Sequence, residues 1–120
     1  MATVNGVIGR ETITDKTVID SRHPAVTRFM QFKTDNGEIP AGEIVAMDSN
    51  GDVVSCDPAS GTSENTPVGV CVNVTDTAKD TIGSVLVHGT VVASALLTKG
   101  VKSSAAEIAA LEANTLIWSF

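Results

Sequence analysis

Positive charge is scarce in this chain of 120 residues: eight Lys and Arg stand against 14 Asp and Glu, for a formal charge of −6. The basic residues are spread along the chain without forming a patch, and phosphate binding needs clustered positive charge, so nucleic acid is not an expected partner. No window approaches about 18 consecutive apolar residues, and no membrane span is expected. Cysteine occurs twice, at Cys56 and Cys71, too far apart for a C-x-x-C redox or zinc pair. Both fall in adjacent predicted strands, where reduced thiols act as small apolar side chains; the alternative, a disulfide, rarely persists in a cytoplasm. Histidine also occurs twice: His23 precedes a proline and His88 lies inside a predicted strand, with no spacing that brings them to carboxylates or thiols. The chain contains no G-x-S-x-G, H-E-x-x-H, G-x-x-x-x-G-K-[ST] or strand-linked G-x-G-x-x-G motif. Catalytic residues, metal ligands and cofactors are therefore not expected, and the chain is not expected to be an enzyme.

What the sequence does carry is short apolar strands separated by turn residues. Residues 27–33, 44–48, 52–56, 68–74 and 84–92 are strand-like, and one domain of this length holds a single core. The clearest unit is a hairpin over Ile44–Cys56, because Asn50-Gly51 suits the positive φ angles of a tight turn. Asp48-x-Asn50-x-Asp52 imitates the opening of a calcium loop, but Val53 stands where that loop needs glycine and Ala59 where it needs Glu. Phe29 and Phe32 fall on different faces of a regular strand, which leaves one of them exposed. Residues 57–67 form a long polar excursion, expected to be the most mobile loop. Gly83 and Gly89 inside a strand mark a bulge or a close backbone approach. Ser104-Ala-Ala-Glu107 matches a capping box and predicts a short helix ending near Asn114, with Ile108 and Leu111 on one side. Leu116–Phe120 is a final strand with Trp118 and Phe120 on one face. The expected fold is mainly β, a small β-barrel or sandwich-like single domain with one short C-terminal helix and an extended N-terminal arm.

Residues 1–24 differ from the rest, being rich in Thr, Asp, Gly, Asn and Arg with isolated β-branched residues. They form the arm, and residues 25–120 form the β-rich domain. The start of the chain has no basic stretch followed by an apolar core, which points to assembly in a cytoplasm. Too weakly apolar to build a sheet, the arm is suited to adding to another protein's sheet edge.

The run Ile39-Pro-Ala-Gly-Glu-Ile-Val-Ala-Met-Asp48, followed by Thr66-Pro-Val-Gly-Val-Cys-Val72 and Gly83-Ser-Val-Leu-Val-His-Gly-Thr90, resembles the lambda-type head decoration proteins of tailed phages. The likeness covers residues 39–92 and is one of order and spacing. It implies a homotrimer at local threefold sites on the exterior of a virion capsid, bound to the major capsid protein as a cement against internal DNA pressure. Linked contacts to several subunits raise effective concentration, so modest interfaces suffice. Val7, Ile8, Ile13, Val18 and Ile19 are the candidate capsid-binding residues of the arm, by strand addition. Deleting residues 1–20 is then expected to leave the domain folded. The alternatives are a carrier-type or other small β binding module, or a small trimeric β enzyme. A carrier needs a lysine at a hairpin tip, where this chain has Ser49-Asn50-Gly51.

Overall fold

A computed structural model of the chain describes residues 18–20 and 22–120. Its strands are β1 (Ile19–Asp20), β2 (Val26–Gln31), β3 (Glu38–Ile39), β4 (Ile44–Met47), β5 (Val53–Ser55), β6 (Gly69–Cys71), β7 (Thr75–Asp76), β8 (Ile82–Val91), β9 (Leu97–Thr98), β10 (Val101–Lys102) and β11 (Leu116–Ser119), with one α-helix, α1 (Ala105–Asn114). The mainly β expectation holds, with one short helix near the C-terminus.

The long strand β8 is the axis. Along one side it pairs antiparallel with β2 and, farther on, with β1; along the other it pairs with β6 and then, in parallel, with β11. The order continues from β6 to β4 to β5. Just past the end of β2, Phe32 bridges Val53 of β5 and Lys33 donates its amide to the Val53 carbonyl at 3.0 Å, so the sheet curls back on itself into a small barrel.

Closure divides the apolar residues into two cores. Inside the barrel lie Phe32, Val45, Val53, Cys71 and Val85, with Ile39 at one end. On the opposite face Ile44, Ala46, Val70 and Leu86 pack against Leu111 of α1 and Ile117 of β11. Alternation of period two makes this possible, because neighbours such as Val85 and Leu86 bury on opposite faces. Both are fully buried, as for a strand covered on two sides.

The hairpin over residues 44–56 forms with Val45 opposite Ser55 and Met47 opposite Val53. Its turn differs from the expectation: only Gly51 has positive φ, at 83°, and Asn50 does not. The Asp48 side chain accounts for this, since Oδ1 accepts the amides of Asn50 and Asp52, both at 2.9 Å, holding a four-residue turn that needs one left-handed position. The excursion over 57–67 is pinned at several points. The Ser63 hydroxyl donates to the Met47 carbonyl at 2.8 Å, the Asp57 amide donates to the Glu64 carbonyl at 2.8 Å, and Pro67 is buried.

Gly83 marks a close approach: a Cβ there would sit 2.6 Å from the Phe32 ring. Gly89 follows a bulge, where Val26 faces His88 and Thr27 faces Leu86, leaving Val87 without a partner on β2; its φ is 139°. The capping box of α1 is present, with the Glu107 amide donating to Ser104 Oγ at 3.2 Å and the Ser104 amide donating to Glu107 Oε1 at 2.8 Å. The helix buries Leu111, with Ile108 half-buried beside it.

Candidate interaction surface

Of the five arm residues expected to meet a partner, Val7, Ile8 and Ile13 lie outside the described residues. The other two require a correction. Val18 is 3% exposed within the helix-side core, its carbonyl accepts the Val92 amide at 2.9 Å, and Ile19 pairs with Val91. The Thr90 hydroxyl donates to the Asp20 carbonyl at 2.8 Å, adding a side-chain bond to this short ladder. Residues 18–20 therefore belong to the domain's own sheet, and a boundary at residue 24 falls too late. β-Branched residues beside an open stretch of β8 bury apolar area at once, without waiting for a foreign edge.

The chain's four aromatic residues are distributed unusually. Phe32 is buried, while Phe29 is 82%, Phe120 52% and Trp118 43% exposed. Because β11 runs parallel to β8 with Leu116 beside His88 and Trp118 beside Thr90, Leu116, Trp118, His88 and Thr90 share one sheet face, and Ile117 turns to the core. Val26, opposite His88, extends the strip. The segment after β1 crosses it: His23 approaches Trp118 with ring centroids 6.1 Å apart, and the Arg22 guanidinium carbon lies 4.1 Å from the Phe120 ring centroid. His88 meets Trp118 edge-on at 6.0 Å, and its Nδ1 is buried without a hydrogen-bond partner among the described residues.

The sheet margins differ as sharply. At β11, Ser119 donates both its amide and its hydroxyl to Glu112 Oε2, each at 2.9 Å, and the Ile117 amide donates to Thr115 Oγ1 at 3.2 Å. At β2 the side away from β8 meets another strand among the described residues only at the Phe32–Val53 bridge that closes its Gln31 end, and five of its six residues are exposed. Arg22, His23, Arg28 and Lys33 fall in a stretch, Ser21 to Thr34, that contains no acid.

Reactive chemistry is muted elsewhere. Both cysteines are free and buried. Burial first, then the nearby Asp57 and Glu107 carboxylates, push the Cys56 thiol up to about 11, and burial also raises Cys71. A nucleophilic cysteine needs the opposite shift. Beside Cys56 a largely apolar cavity of about 120 Å³ lies between α1 and the 57–67 loop, lined by Ile44, Pro58, Pro67 and Ala110 with Thr98 and Glu107. It provides packing space and little polar orientation.

Glu43 is the buried acid that sequence reasoning missed. Its carboxylate accepts the Ser55 hydroxyl and, at 2.7 Å, the Gly100 amide, tying the β9–β10 turn to the barrel wall. In the sequence it reads as one more polar residue of an irregular stretch, with no signal that residue 100 will supply its partner. Among the described residues no three His, Cys, Asp or Glu side chains gather as a metal-binding group. Comparison of the chain with protein-family models and with curated proteins returned no match.

Proposed function

We propose that this chain is a structural virion protein that binds the outer surface of a phage capsid, as a homotrimer at threefold sites, and stabilises the expanded head. The observation that carries the reading is the exposed strip of Leu116, Trp118 and Phe120 with Val26. Large aromatic side chains normally supply core energy, and a small domain that leaves three of four outside is built for contact with other proteins. Such anchors dominate interface energetics, whereas a site for chemistry would need convergent groups tuned toward reactivity. The raised thiols of Cys56 and Cys71 are tuned away from it.

The order of the hairpin and the strands after it adds the resemblance to head decoration proteins. Residues 1–17, which precede the buried Val18, are the part of the arm assigned to the shell. The test is co-sedimentation with expanded phage heads: the full chain should pellet in threes per threefold position, and a chain lacking residues 1–17 should remain folded and stay in the supernatant. Absence of binding to expanded heads, together with turnover of an acyl or nucleotide substrate, would overturn the proposal.

A further inference from the structure

The outer edge of β2 is a built acceptor for a strand. The Phe32 amide donates to the Thr81 carbonyl on the β8 side at 2.6 Å, and the next residue, Lys33, donates the opposite way to Val53. Alternation carried back along the strand turns the main-chain N–H and C=O groups of Thr27, Phe29 and Gln31 away from β8; the Phe32–Val53 bridge takes up the Gln31 end, which leaves Thr27 and Phe29 open. Edges of this kind are ordinarily blunted by proline, charged side chains, a β-bulge or a covering element. Here Val26–Gln31 contains no proline, Arg28 is its one charged residue, a bulge lies opposite its Val26 end, and among the described residues β5 meets that side only at the Phe32 bridge.

Charge selects the occupant. Arg28 lies on the strand and Lys33 just beyond its end, within a stretch of fourteen residues (21–34) that has no acid, and neither forms an ion pair among the described residues. Two copies pairing through β2 would set basic strands side by side, where like charges across a ladder destabilise. The chain's own first 17 residues offer no complement, since Glu11 and Asp15 are balanced by Arg10 and Lys16.

We infer that β2 takes up an extended acidic segment of a different protein as an added antiparallel or parallel strand. Main-chain bonds go to Thr27 and Phe29, a carboxylate faces Arg28, and an apolar side chain covers Phe29. This edge begins at Val26, where the Trp118 strip ends, and the inference stands whether or not the partner is a capsid protein.

The test uses the free, full chain and two synthetic peptides of about nine residues, the length of a long strand, alternating Val and Thr with either two Glu or two Lys. The Glu peptide should bind about tenfold more tightly than the Lys peptide in low salt, with the preference shrinking as salt screens it. Amide exchange at Thr27 and Phe29 should slow when it binds. Arg28→Glu should reverse the preference. Phe29→Pro removes an amide that makes no bond to β8, so the fold should persist by circular dichroism while binding is lost. Equal binding of the two peptides, protection at other amides, undiminished binding by a folded Phe29→Pro chain, or self-association through β2 would each overturn the inference.

Discussion

The two margins of the sheet, at β11 and at β2, are treated in opposite ways. At β11 the outward amides of Ile117 and Ser119 are taken up by Thr115 and Glu112, residues placed there by the end of α1. At β2 the outward groups of Thr27 and Phe29 have no neighbouring strand among the described residues, and β5 closes only the Gln31 end. The difference is instructive because both strands flank β8 and both carry exposed aromatic residues. One margin is finished by local side chains and offers a face; the other is left as an edge.

The largest expected effect comes from breaking the closure that shapes the open edge. Phe32→Ala empties the barrel interior at the point where β2 runs on to meet β5, and should cost about 3–5 kcal/mol, read from the urea midpoint. Next is the cut point of the arm. Removing residues 1–17 should leave the midpoint unchanged, whereas removing residues 1–20 takes Val18 out of the core and the β1 ladder with it, a loss of about 2–3 kcal/mol. Were Val18 and Ile19 free for strand addition to a partner, both truncations would leave the midpoint unchanged.

Glu112→Ala converts the finished margin toward the open kind. It strips the acceptor from the Ser119 amide and hydroxyl, and should cost about 1–3 kcal/mol with faster amide exchange at Ser119 and no change at Phe29. The smallest effect is expected on the face between the two margins. His88→Leu removes a buried nitrogen that has no partner and keeps apolar contact with Trp118, so a gain of up to about 1 kcal/mol in thermal unfolding is expected.

Much of the β scaffold was legible because it rests on short-range rules. The hairpin could be read from Asp48 through Asp52, the helix start from Ser104 and Glu107, and the opposite facing of Phe29 and Phe32 from period two alone. The ends of strands were less so. The expected strand over 68–74 shrinks to Gly69–Cys71, since β4 and β8 pair only there and Val74 turns outward. The interaction surface was legible only as residue types. Trp118 and Phe120 were placed together, but His23, Arg22 and Val26 join them through pairing with β8, a contact across more than sixty positions for Val26 and His88.

Local patterning by itself determined that this polypeptide makes short strands, one capped helix and tight turns, because propensity, alternation and capping act within a few residues. Tertiary structure decided that Val18 is core and not arm, that Glu43 finds Gly100, and that one sheet margin is sealed while the other stays open. Those outcomes depend on which distant segments meet along β8, and burial and hydrogen-bond satisfaction are settled only once they meet.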